Sequence, residues 1–461
     1  MDYERCAALH NEILLRGYLG RGMRWPSPPP KTWWEKEAPS PEIASKLSPS
    51  LIEFLKRAHL PSNASAPHSI FYYLSYVPSP EEMISNLFLR KFNGSSEGGP
   101  YVLLYQYNAI HEEEGLGLMP LETILAGYID MIDEGKVAAV ANWEDGEPGV
   151  PEWPWPAPPW VLHIYTAVDV QKAVAATKRL LDAIEAKIEE HEHEHEHSAG
   201  PSETKAADTN YLPWNDPAAL PADLVPPGTF AFEFLQGIKM LKARFRYIAP
   251  GVRFPTVEEF LAQKAETPPW QEPGQHPLRL MHVEQPEDDD REDNNNREDD
   301  GEDDGEDSNG DNLEKEQQTE ETETEPEQPK INSPKYPGLY IEQVTPSASF
   351  HFSNESRLEL PFGIGANGWA RQSSGQPLGY NIAEWRPAPA DTAWDLYQSG
   401  DPTGFTDIRL VQIHKVLENW AGMVEGGHWG VDGEGVVGGS GRFREADTEE
   451  GWGLYWIPVS W

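Results

Sequence analysis

The chain has 461 residues and carries 77 acidic against 36 basic side chains, a formal net charge of −41. That balance repels a nucleic-acid backbone, whose binding needs clustered Lys and Arg to displace counterions, so no direct nucleic-acid partner is expected. One cysteine, Cys6, excludes an intrachain disulfide and a thiolate-rich metal centre, and no window reaches the roughly 18–20 apolar residues of a membrane span.

The start, Met1-Asp2-Tyr3-Glu4-Arg5, lacks the basic opening and apolar core of a secretory signal. A cytoplasmic or nuclear protein without a membrane partner is the expectation, and the Asn-x-Ser triplets at Asn63, Asn93 and Asn354 are then incidental. The length allows two or three ordinary domains, or one large domain with insertions.

Residues 1–190 read as an N-terminal α+β unit. Residues 3–18 make an amphipathic helix with Leu9, Ile13 and Leu14 on one stripe. A Pro- and Trp-rich passage follows (Trp25-Pro26, Pro28-Pro29-Pro30, Trp33-Trp34), and a second lies at 151–160. Proline fixes φ and removes a ladder donor, so these pieces are neither helix nor central strand. Their indoles are expected to plug into the domain surface; the competing reading is a Trp-lined carbohydrate or peptide groove. Ser50-Leu51-Ile52-Glu53 has capping-box spacing before a short buried helix. Residues 70–77 suggest a strand. Ser79-Pro80-Glu81-Glu82 predicts a helix running to about Phe92. Residues 101–107 and 160–165 are strands by β propensity, flanking a helix from Pro120 to Ile132 that Gly135 closes. From Val170, the positions Val174, Thr177, Leu181, Ile184 and Ile188 recur at helical period.

Residues 191–226 lose that periodicity and read as a flexible segment. Folding resumes at 227–283, a helical extension of the first unit, with a helix predicted over 230–247 and another capped by Thr256. Residues 284–328 then hold 23 acidic and three basic side chains, a net −20 over 45 positions. So few apolar groups cannot offset the entropy of ordering, so residues 284–332 are expected to form a disordered acidic linker. Residues 333–461 form a C-terminal Trp- and Gly-rich α+β unit, with strands at 339–344 and 347–352, a helix from Thr406 to Met423, and a ring-rich tail that is an edge strand at most. The fold expected is α+β, with two folded units, or one fold with a long insertion, separated by the acidic linker.

Three motifs bear on chemistry. His191-Glu192-xx-His195 satisfies H-E-x-x-H, as does the frame from His193, and His197 extends the run. Two histidines four apart on a helix can share zinc, but here the match comes free from a dipeptide repeat, so His191, His193, His195 and His197 are adventitious metal ligands at most. Gly433-x-Gly435-x-x-Gly438 matches a dinucleotide fingerprint without a hydrophobic strand before it, and Asp432 and Glu434 would repel a pyrophosphate; turn glycines explain it better, and no cofactor is expected. His428, Asp432 and Glu434 sit together in the Gly-rich loop beside Trp429 and are the candidate catalytic set, an acid, a base and an aromatic wall. His111 with Glu112, Glu113 and Glu114 is a weaker candidate, and His163 reads as a hydrogen-bonded core histidine.

Two functions remain in play. One is a non-catalytic binding or regulatory protein, using Trp-lined surfaces and an acidic tract that captures a basic protein. The other is a small-molecule enzyme with its site in the C-terminal Gly-rich loop.

Overall fold

The computed structural model describes residues 1–20, 22–60, 77, 79–85, 87–89, 100–102, 121–139, 160–196, 210–215, 220–266, 277–286, 336–341, 355–373, 375, 377–378, 380–381, 386–387, 393–398 and 411–458. Helices and a mixed sheet share the fold, as the α+β expectation required. The expectations for residues 70–76, His111 to Glu114, the 151–159 passage, Ser347 to Phe352, Thr406, Trp461 and nearly all of the acidic tract fall outside the described residues. Among the described residues no helix is long and apolar enough to cross a membrane.

Two apolar cores organise the chain. The first is built on α1 (Tyr3–Gly20), which packs against α4 (Pro49–Leu55), α6 (Leu121–Asp133) and β3 (Val137–Ala139). Its buried stripe is Cys6, His10, Ile13, Leu14 and Tyr18. Between them, α2 (Trp33–Glu37) is held by a complete capping box, Thr32 with Glu35, and seats Trp33 fully inside the core. Next, α3 (Pro41–Ala44) leads into α4, which starts at Ser48 with Pro49 in its first turn. The cap is therefore two residues earlier than Ser50, because Ser48 Oγ accepts from Leu51 N and proline suits the first helical position.

A second difference concerns Ser79. The helix it opens, α5 (Pro80–Ser85), stops early, and Leu87–Leu89 becomes β1, paired antiparallel with β2 (Pro100–Val102). A cross-strand partner eleven or more residues away overrides the local helical pattern. After α6, Gly135 adopts φ +74°, and β3 pairs with β4 (Trp160–Leu162).

The second core gathers the rest. The long helix α7 (Ala167–Glu196) lays Ala173, Leu180, Leu181, Ile184 and Ile188 into it, beside α8 (Phe230–Ile238) and α10 (Ile413–Glu425). These helices cover an eight-stranded sheet of order β12-β9-β8-β7-β6-β5-β14-β13. Its strands are β5 (Tyr247–Ala249), β6 (Val252–Arg253), β7 (Leu278–Val283), β8 (Gly338–Ile341), β9 (Glu355–Glu359), β12 (Val411–Gln412), β13 (Val431–Asp432) and β14 (Gly435–Val436). A separate pair, β10 (Tyr380–Asn381) with β11 (Arg386–Pro387), lies outside it. All neighbours in the large sheet are antiparallel except β14 on β5. β7 and β8, the strands on either side of the acidic tract, are direct hydrogen-bonded neighbours, with His282 opposite Gly338.

Helix α8 ends at Ile238 rather than running to Tyr247, because Arg246 N and Tyr247 N both donate to Glu434 O and commit that stretch to the sheet. Helix α9 (Val257–Glu266) carries the expected Thr256 cap, reciprocated by Glu259. The C-terminal tail forms a short helix, α11 (Trp452–Tyr455), not a strand.

Candidate functional site

The Gly-rich segment begins where α10 ends. Gly427 takes φ +70°, and His428 N and Trp429 N both donate to Met423 O, closing the helix. The chain then drives Trp429 inward. It meets Trp420, Phe443 and Tyr455 in an aromatic cluster whose ring centroids lie 6.0–6.3 Å apart. Trp420 Nε1 donates to Tyr397 Oη at 2.9 Å, and Trp429 Nε1 to Tyr455 Oη at 3.3 Å. Burial raises the Tyr397 and Tyr455 hydroxyls well above the usual phenol range, which keeps both neutral donors and acceptors. Trp429 is thus a core anchor rather than the wall of a ligand groove.

Beyond it, β13 and β14 form a hairpin whose two-residue turn is Gly433-Glu434. His428, Asp432 and Glu434 all stand exposed around it. Asp432 Oδ1 accepts from Glu434 N at 2.8 Å, an Asx turn that shapes the hairpin. The Glu434 carbonyl receives the amides of Arg246 and Tyr247 where β5 begins, and the His428 carbonyl receives Arg442 Nη2 at 2.9 Å. The contacts these three residues make there hold the hairpin and its neighbours in place.

The glycine spacing has a backbone cause. Gly435 sits at φ +114° with a Cβ position that would overlap the Tyr247 carbonyl oxygen, and Gly438 sits at φ +100°. Gly433 has open space. The chain before Gly433 is a two-residue strand, and after Gly438 a 3-10 stretch, Ser440–Asp447, follows instead of an α-helix. G435A is expected to destabilise by at least about 2 kcal/mol, since strained φ and backbone overlap add, while G433A stays within about 0.5 kcal/mol of the parent. Urea unfolding of the two variants checks this; equal behaviour would remove the backbone explanation.

His191 is exposed on the last turns of α7, which continues as helix through Glu196, beyond the point where periodicity is lost. His193 and His195 fall within that helix, with side chains outside the described residues, as is all of His197. Glu192, the would-be general base, faces Arg244, whose Nη1 is 3.2 Å from its carboxylate. Among the described residues no group of three His, Cys, Asp or Glu side chains stands ready for a metal ion. His163 lies just past β4, half-buried, its N donating to Lys136 O at 2.7 Å, and burial lowers its pKa.

Three charged centres carry more of the structure's organisation than any of these, and sequence reasoning did not single them out. Asp447, 4% exposed, accepts four backbone amides: Gly365 N (3.1 Å) and Asn367 N (2.7 Å) on Oδ2, Trp369 N (2.8 Å) and Ala370 N (2.9 Å) on Oδ1. Lys136, fully buried, pairs with Asp169 at 3.2 Å. Arg253 grips Glu259 with both terminal nitrogens, at 2.8 and 2.7 Å, and reaches Glu284 at 3.0 Å. The guanidinium holds the Glu259 carboxyl down at about 2. Glu284 also accepts from the Tyr247 hydroxyl, and its carbonyl from Ser440 Oγ at 2.7 Å, so the first acidic residue of the tract is tied to the sheet. In isolation each of these residues looks like ordinary surface charge; the nearest sequence signal is the Thr256–Glu259 capping box. No family model matches the chain, and no curated protein or solved structure matches it either.

Proposed function

We propose that this chain is a non-catalytic protein-binding or regulatory protein, and that its acidic tract captures a basic protein. The carrying observation is the tract's attachment. Its net −20 charge is inserted between two hydrogen-bonded neighbours of one sheet, β7 and β8, and its first residue, Glu284, is clamped by Arg253 and Tyr247. In this reading the tract is a disordered insertion within one fold, a solvated polyanion whose two ends are held together on a folded platform. Such concentrated charge raises encounter rates with a basic partner and is screened within roughly 10 Å at about 0.1 M salt. The half-exposed Trp452 and Trp456, with Arg371 stacked 5.4 Å from the Trp452 ring, offer an aromatic surface for further contact. A cytoplasmic or nuclear setting belongs to the same proposal. The enzyme reading has less behind it, since His428, Asp432 and Glu434 are exposed around a hairpin their contacts stabilise.

The test uses a fluorescent oligolysine of about 20 residues and fluorescence anisotropy on the full chain. Affinity is expected to fall at least about tenfold between 50 and 300 mM NaCl, and to fall similarly when 287–328 is replaced by an uncharged Gly/Ser stretch of equal length. Salt-insensitive binding, or binding untouched by the replacement, would overturn the proposal.

A further inference from the structure

The two cores meet through little chain. Among the described residues, helices and strands built on α1 pack on one another, and those built on α7 and the large sheet do likewise; no element of one core packs broadly on an element of the other. Among the described residues, a set of ion pairs crosses the joint. Glu134 and Lys136 lie in the turn between α6 and β3, on the first core. Asp169 and Lys172 lie in the first turns of α7, on the second. Lys136 Nζ stands 3.2 Å from Asp169 and 3.6 Å from Glu134, and Lys172 Nζ stands 2.6 Å from Glu134. The result is a ladder of alternating charge. Its inner rung is wholly buried, with both the Lys136 and Asp169 side chains at 0% exposure, while Lys172 and Glu134 remain partly exposed. Asp169 is fixed in turn as the capping carboxylate of α7, accepting from Thr166 N at 2.8 Å and Thr166 Oγ1 at 3.1 Å. The covalent joint, 163–166, runs directly beside it.

We propose that the two cores are separately folded lobes and that the Lys136–Asp169 rung is the latch that makes them behave as one. A buried ion pair is poor at adding net stability, because desolvating two charges offsets their attraction. It is good at fixing geometry, because neither charge tolerates losing the other inside the protein. Placed at the junction of two cores with sparse apolar contact, it couples them: closed, the lobes share one orientation; open, each keeps its own core. This is independent of the polyanion reading, since no residue of the acidic tract takes part.

Differential scanning calorimetry of the full chain tests it. The parent should melt in one cooperative transition. K136M should melt in two, the upper within a few degrees of the parent's, with a larger hydrodynamic radius between them; K136R should restore one. A K136M profile that stays single, whether shifted or not, would overturn the proposal and leave Lys136 an ordinary core lysine. If K136M yields no folded protein, D169N, which removes the charge on the other side of the same rung while keeping an oxygen to accept from Thr166, is read the same way: divided transitions support the latch and an undivided one overturns it.

Discussion

Replacing Asp447 with alanine is expected to destabilise the protein by about 3–5 kcal/mol, among the largest effects a single polar substitution can have. The side chain is nearly inaccessible, and its two oxygens accept the amides of Gly365, Asn367, Trp369 and Ala370. Those four donors point inward at one spot because Gly365 and Gly368 adopt φ of +102° and +75°, turning the loop back on itself. Hydrogen bonds to a charged acceptor are worth about 1.5–3 kcal/mol each before non-additivity, and buried donors left without a partner add their desolvation penalty. Water cannot easily replace the carboxylate, since Asp447 is only 4% exposed. D447N should fall between parent and D447A: it keeps one accepting oxygen and turns an amide NH2 towards the other pair of donors. The measurement is urea unfolding followed by Trp fluorescence. A D447A midpoint corresponding to less than about 1 kcal/mol would mean that the loop finds other partners and that the carboxylate is not what organises it.

Asp447 also marks where sequence reading stops. Arg444-Glu445-Ala446-Asp447-Thr448-Glu449-Glu450 looks like solvated charge, and nothing local distinguishes its second acid position from the others. Its burial is made by a loop about 80 positions earlier. Lys136 is similar, a lone lysine after a helix-ending glycine whose partner Asp169 reads as a mere helix start. By contrast α1, α6, α7 and α9 were legible, because their apolar spacing and caps are local and agree with their packing. The misread boundaries share one cause. Leu87–Leu89, Arg246–Tyr247 and Val411–Gln412 each continue a helical pattern, and each is taken by a strand partner distant in sequence. The Gly-rich loop was legible as turns, but Trp429 within it was not legible as core, since its neighbours Trp420, Phe443 and Tyr455 come from three separate turns and helices.

Stability should fall on the acid side through His10 and on the alkaline side through Asp395, and the two limbs can be separated. His10 is fully buried, its Nε2 donating to His59 O at 2.7 Å. Burial pushes its pKa down to about 4, against an ordinary 6.5. The unfolded chain therefore takes up the proton first, so the stability present above pH 6.5 is lost as pH falls towards 4. The full loss is about 3 kcal/mol at roughly 1.4 kcal/mol per unit. His282, half-buried beside Arg279, is lowered to about 4 and acts in the same direction. Asp395 runs the other way. Burial raises it to about 7, against the hydrogen bonds it accepts from Tyr397 N and Leu358 N and the attraction of Arg357. The folded state keeps that proton where the unfolded chain has released it, so stability present below pH 3.8 is lost as pH climbs through 7. Between pH 4 and 6.5 the slopes oppose each other and partly cancel, so the parent alone is uninformative there. Glu259, held near 2, contributes only below about 4.5 and stays out of the window. In D395N the acid slope should emerge undiluted, with about 2–3 kcal/mol lost through His10 between pH 7 and 4.5 and a smaller further loss through half-buried His282. Adding H10Q, whose amide can still donate to the His59 carbonyl, should remove at least half of it. A flat D395N profile over that interval, or a double variant as acid-sensitive as D395N, would show that the buried imidazole is not the acid-sensitive element of the first core.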